Sequence, residues 1–240
     1  MANDHLVLIV GKSISGKSHA LIGLDNPEGV MYLNCENSKR LPFKSKFKEY
    51  TIIDPVQIYT AFEKAEQNPD IHTVVVDTLT YMMDMFETVH INNATNTLQA
   101  WGNYSKFFKT LMFQYVAVST KNVIFLAHTA DVLNEKEMIN ETLVKVKGSL
   151  MNQGIESFFT TVVSTKKLPL NKLKEYKNEY LTINEDEEIL GYKHVFQTRL
   201  TKETVNERIR SGLGMWDRNE TYIDNNVQLV INRLHEYYGD

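Results

Sequence analysis

The chain has 240 residues, of which 42% are hydrophobic and 23% charged, and its formal net charge is −4. That supports one sizeable core, and the slightly acidic balance leaves any nucleic-acid contact to local patches rather than overall charge. The lone Cys35 excludes an internal disulfide and suits a reducing cytosol; the apolar run 6–10 is too short for a membrane span and lacks the flanks of a leader.

In chain order, residues 5–10 are a short apolar run ending in glycine, the expected first buried strand. Residues 17–24 follow as a predicted helix stopped by Asn26-Pro27-Glu28-Gly29. Residues 30–33 and 51–53 read as strands, and 55–67 has helical spacing at Val56, Tyr59, Ala61 and Phe62. The β-branched run 71–76 suits a strand buried on both faces of a parallel sheet. Residues 98–118 form a long amphipathic helix with Trp101, Phe107, Phe108, Leu111, Met112 and Tyr115 towards the core, and 122–127 is another buried strand. Alternating strand and helix predicts an α/β fold with a mainly parallel, twisted sheet flanked by helices. Beyond it, 158–164 reads as one more core strand. Residues 176–183 and 190–200 flank the acidic turn 184–188 as an antiparallel hairpin, and 225–238 is a closing helix. Without a repeat or a long linker, one domain over 1–240 is expected, with its core at 1–165 and the hairpin and last helix at 166–240.

The stretch Gly11-Lys12-Ser13-Ile14-Ser15-Gly16-Lys17-Ser18 carries the first chemical signal. Its glycines let the backbone turn so that successive N–H groups point at phosphate oxygens, and a helix start adds its positive dipole end. Lys17 is placed to reach the β- and γ-phosphates, and the Ser18 hydroxyl to ligate Mg²⁺. A random chain of this length shows such spacing on the order of 1% of the time, and a preceding apolar strand makes chance rarer still.

Asp77 closes Thr73-Val74-Val75-Val76-Asp77 and is the candidate second carboxylate for the magnesium shell; capping the next helix is its plainer role, and both are compatible. Thr78, not glutamate, follows it, so a general base must come from elsewhere. Glu36, just past the second strand, faces the same ligand edge of a doubly wound sheet and is the candidate to deprotonate the attacking water. A solvated loop glutamate is the alternative. His128 closes 123–128 and is a candidate γ-phosphate sensor, or else a structural histidine.

Together, Gly11–Ser18, Glu36, Asp77 and His128 resemble, in this order, the RecA-like P-loop ATPases. More narrowly the chain resembles the short, core-only bacteriophage proteins of the single-strand annealing type. The resemblance implies ATP and Mg²⁺ as cofactors, and ATP-modulated action on single-stranded DNA during phage recombination or replication. It also implies a homo-oligomer, phage recombination or single-strand-binding proteins as partners, no membrane association, and the host cytoplasm. The loops after the aspartate and sensor strands, roughly 81–98 and 129–156, would line the DNA path, with Lys145 and Lys147 as the basic contacts. Arg208 and Arg210 are the candidates to reach a neighbouring subunit's ATP. Further basic clusters lie at 39–48 and 166–177. No clear polymerisation strand precedes the core, so a ring or weaker oligomer competes with a filament.

Three rivals share the P-loop. A small-molecule or nucleotide kinase would carry an arginine-rich lid, and the arginines here are few and late. A helicase core would bring further domains. An ATP-bound adaptor would turn over slowly.

Overall fold

The structure, a computed structural model, describes residues 3–239. The elements run β1 (Leu6–Gly11), β2 (Val30–Asn34), β3 (Lys48–Thr51), α1 (Gln57–Gln67), β4 (Thr73–Asp77), α2 (Leu79–Phe86), α3 (Thr97–Thr110), β5 (Asn122–Asn134) and β6 (Ile139–Val144). They continue through α4 (Ser149–Gln153), β7 (Thr161–Pro169), α5 (Leu170–Leu173), α6 (Glu185–Leu190), β8 (Tyr192–Gln197), β9 (Tyr222–Asp224) and α7 (Val227–Tyr238). One sheet in the order β3-β2-β4-β5-β1-β7-β8-β9 joins them. Its first six members pair in parallel, whereas β7–β8 and β8–β9 are antiparallel. This is the mainly parallel α/β sheet flanked by helices that the sequence predicts, with an antiparallel C-terminal extension. Among the described residues no helix is long and apolar enough to cross a membrane.

Two apolar layers sandwich the sheet, and the strand period of two assigns side chains between them. Leu6, Leu8 and Val10 of β1 join Phe62, Phe108 and Phe125 on one face. Val7 and Ile9 join Tyr32, Leu126, Ile231 and Leu234 on the other, beneath α7. Parallel pairing then stacks strand ends: Gly11 lies opposite His128, and Asn34 opposite Asp77. β5 thus stands between the P-loop strand and the aspartate strand, and the carboxyl ends of the six parallel strands open on one edge.

Several expectations need correction. The segment after the P-loop is not an α-helix over 17–24 but a tight 3₁₀ turn, Ser18–Gly23, ended by the extended backbone of Leu24; Gly23 leaves room for Asn226 beside it. The third strand lies earlier, at Lys48–Thr51, on the exposed edge. Residues 81–98 are not an open loop. Thr78 caps α2 through a bond from Tyr81 N, and Leu79, Met82, Met83 and Phe86 are buried, so burial outweighs the polar look of the stretch. The long helix runs Thr97–Thr110 and widens into i→i+5 bonding, Ala117 N to Met112 O, before β5.

Residues 129–156 are likewise largely ordered. β5 continues past His128 and pairs with β6 as an antiparallel hairpin from Thr129↔Val144 to Asn134↔Ile139. The late core strand is Thr161–Pro169 rather than 158–164. The predicted hairpin of 176–183 with 190–200 does not form, because β8 pairs instead with β7. Residues 176–183 strap the far edge through Asn178 to Tyr222 O (3.0 Å) and Asp224 N to Tyr180 O (2.8 Å). The acidic stretch is a helix rather than a turn: Asn184 and Glu187 form a capping box, and the carboxylates sit at the positive end of the helix dipole.

Candidate nucleotide site

The P-loop leaves β1 at the sheet's ligand edge. Gly16 adopts φ +104°, where an L side chain is strained, and a Cβ there would press on Asn225 and His194. Exposed Ile14 holds φ 65° at the apex, an uncommon conformation for a β-branched residue. That strain is sustained by partners distant in sequence. Asn225 Nδ2 donates to Gly16 O at 2.9 Å, and His194 Nδ1 to Ser15 O at 2.8 Å. Ser15 Oγ bonds Thr165 Oγ1, which also donates to Val10 O at 3.2 Å. The loop's carbonyls are thereby tied down by the C-terminal extension.

Lys17, buried at 6% exposure, donates to Gly11 O at 3.0 Å and Lys12 O at 2.9 Å. Burial pushes its ammonium down to about 8, with the Asp77 and Glu36 charges opposing. Lys17 Nζ also stands 3.2 Å from His128 Nδ1. An ammonium only donates, so Nδ1 accepts and the imidazole proton sits on Nε2. That proton faces Glu36 Oε1 across a long contact of 3.4 Å. Glu36 Oε2 accepts from Lys39 Nζ at 2.8 Å. The His128 and Lys39 contacts together hold the Glu36 carboxyl at about 2 against the opposing effect of burial.

Asp77 is 1% exposed, and its Oδ2 accepts from Ser18 Oγ at 2.9 Å and Tyr32 OH at 2.8 Å. Its Oδ1 is buried without a partner among the described residues, and burial raises the carboxyl's pKa. An orphaned carboxylate oxygen beside a serine hydroxyl fits a magnesium ion that takes its remaining ligands from phosphates and water. Burial and the Asp77 charge also push the Tyr32 phenol far up, so it stays a donor.

A cavity of about 360 Å³ brings these groups together: Ser13, Ile14, Gly16, Lys17, Ser18, Glu36, Asp77 and His128 all line it. Gly11 and Ser15 support the loop from behind, and the Lys12 side chain turns outward to Asp131 at 2.7 Å. Arg208 and Arg210 do not line the cavity of their own chain. Arg208 is held by Glu141 at 3.2 Å and Glu156 at 3.3 Å, and Arg210 is exposed, with its backbone bonded to Val162. Lys145 and Lys147 are exposed beyond the hairpin's base, with Lys147 on Glu87 at 2.5 Å. Lys145 N donates to His128 O at 2.8 Å, which ties this segment to the sensor strand.

Sequence reasoning missed Tyr32, Lys39, Arg40, Thr165, His194 and Asn225. Lys39 and Arg40 were visible only as part of a basic cluster. No local signal marks Thr165, His194 or Asn225, because sheet pairing and the turn into α7 carry them to the loop.

A family model described as an AAA domain matches residues 4–194 of the chain. No curated protein matches it. Among solved structures, a KaiC-like protein from the hyperthermophilic archaeon Pyrococcus horikoshii is similar at a TM-score of 0.46 and 11% identity, over 85% of this chain and 82% of that one.

Proposed function

The chain belongs to the AAA domain family, and from that premise we propose that it is a magnesium-dependent ATPase acting on single-stranded DNA. The observation that carries the hydrolytic part is the continuous line Lys39–Glu36–His128–Lys17 in the cavity that also holds Ser18 and Asp77. Lys17 and the loop N–H groups bind the phosphates, and Ser18 and Asp77 hold the metal. When bound, magnesium neutralises charge on the phosphate oxygens. Glu36 orients a water towards the γ-phosphate and takes its proton. His128, hydrogen-bonded to both Lys17 and Glu36, is displaced as Lys17 moves from the Gly11 and Lys12 carbonyls to phosphate.

The DNA part is supported by the segment beyond His128. The β5–β6 hairpin extends the sensor strand, and the exposed Lys145 is bonded to His128 O through its backbone amide. A change at His128 thus has a short path to a basic segment, and Asp131 of the same hairpin holds Lys12 of the P-loop. In this reading the finer role is annealing or strand pairing in phage recombination or replication, as a homo-oligomer.

The decisive test is the ATPase rate with and without single-stranded DNA, for the unaltered chain and Lys17→Ala. Turnover stimulated by DNA and lost in the variant is expected. A chain that neither binds single strands nor turns over faster with them rules the DNA role out.

A further inference from the structure

Besides Lys17, two cations line the nucleotide cavity, Lys39 and Arg40, both on the segment after β2. The structure ties Lys39 in place. Its N–H donates to Glu36 O at 2.9 Å, and its carbonyl accepts from Asn34 Nδ2 at 2.9 Å, so its backbone is anchored to the end of β2. Its ammonium rests 2.8 Å from Glu36 Oε2, yet the Lys39 side chain is 69% exposed and that of Glu36 only 8%. The pair has one fixed member and one that can swing. Lys39 also sits close enough to oppose the charge of Lys17 and favour that of Asp77. Those two residues bracket the position of a bound terminal phosphate and its metal. Lys39 therefore waits on the open side of that position, beside the carboxylate that addresses the water.

Phosphoryl transfer builds negative charge on the terminal and leaving oxygens, and a cation that reaches them then stabilises the transition state. Arg208 is occupied by Glu141 and Glu156. We propose that Lys39 is a catalytic cation supplied in cis: from its contact with Glu36, it passes to the terminal phosphate oxygens of ATP and leaves Glu36 Oε2 open to the attacking water. The water oxygen bonds to the γ-phosphorus as the bond to the ADP oxygen breaks. The water proton goes to Glu36 and then to the released phosphate, and Lys39 keeps its own protons throughout. This inference rests on Glu36 as the base, and it makes a neighbour's arginine unnecessary for turnover.

The test uses the full chain with Lys39→Met, Lys39→Arg and Glu36→Gln. ATP turnover is measured together with the affinities for ADP and for ADP–aluminium fluoride, which mimics the transferring phosphoryl group. Lys39→Met is expected to lower kcat on the order of 10²-fold with KM changed far less. It should weaken the aluminium fluoride complex by a similar factor, spare ADP, and be largely rescued by Lys39→Arg. Unchanged kcat and analogue affinity in Lys39→Met overturn the proposal, as does an equal loss for ADP and the analogue. Full activity in Glu36→Gln sinks the base separately, while analogue binding still reads Lys39.

Discussion

At the residue scale, Lys17 shows how burial and ligand charge compete. Desolvation lowers its pKa to about 8, below the unfolded value, so the folded chain releases the proton more readily than the unfolded chain. The charged form therefore costs stability below about 8, and the cost is relieved as pH rises from there through the ordinary lysine value of 10.5. Bound phosphate reverses the balance by favouring the ammonium. Nucleotide affinity should accordingly fall as pH climbs past about 8, and binding should take up a proton there. Calorimetry in two buffers of different ionisation enthalpy checks this: uptake at about pH 8.5, little at about pH 7. No uptake at either pH sinks the assignment. Asp77 is the complementary case, since its buried Oδ1 has no partner among the described residues and awaits one from outside the chain.

At the scale of elements, the P-loop depends on what packs behind it. β8 and the turn into α7 deliver His194 and Asn225 to its carbonyls, and β7 delivers Thr165. Asn225→Ala removes one such bond, worth about 1 kcal/mol. It should weaken ADP binding several-fold and lower the thermal midpoint by only about 2–4 °C; an unaltered ADP affinity would show the tether is idle. The β5–β6 hairpin was legible only in part, because its continuation past His128 looks like polar loop until β6 supplies the pairing partner. Residues 176–183 failed in the opposite direction. They read as a strand, but β8 pairs with β7 on one side and with β9 on the other, and the segment straps the edge instead.

At the scale of the whole molecule, one sheet with two apolar faces carries everything. α7 closes the face beneath the P-loop with Val227, Val230, Ile231 and Leu234, all nearly or fully buried. Leu234→Ala leaves a cavity there and should cost about 2–5 kcal/mol, read as a lower midpoint in denaturant with an unchanged slope. A loss under about 0.5 kcal/mol would mean that α7 is not part of the cooperative core. The order of P-loop, Glu36, Asp77 and His128 was readable without the fold, because each ends or follows an apolar run and a parallel sheet must gather such ends on one edge. What only the tertiary structure decided is who attends them: Thr165, His194 and Asn225 holding the loop, Glu141 and Glu156 occupying Arg208, and Lys39 resting on Glu36. Most of these contacts join residues far apart in the chain, and pairing register sets them. A linear pattern records which residues face a layer, but not which distant neighbour meets them there.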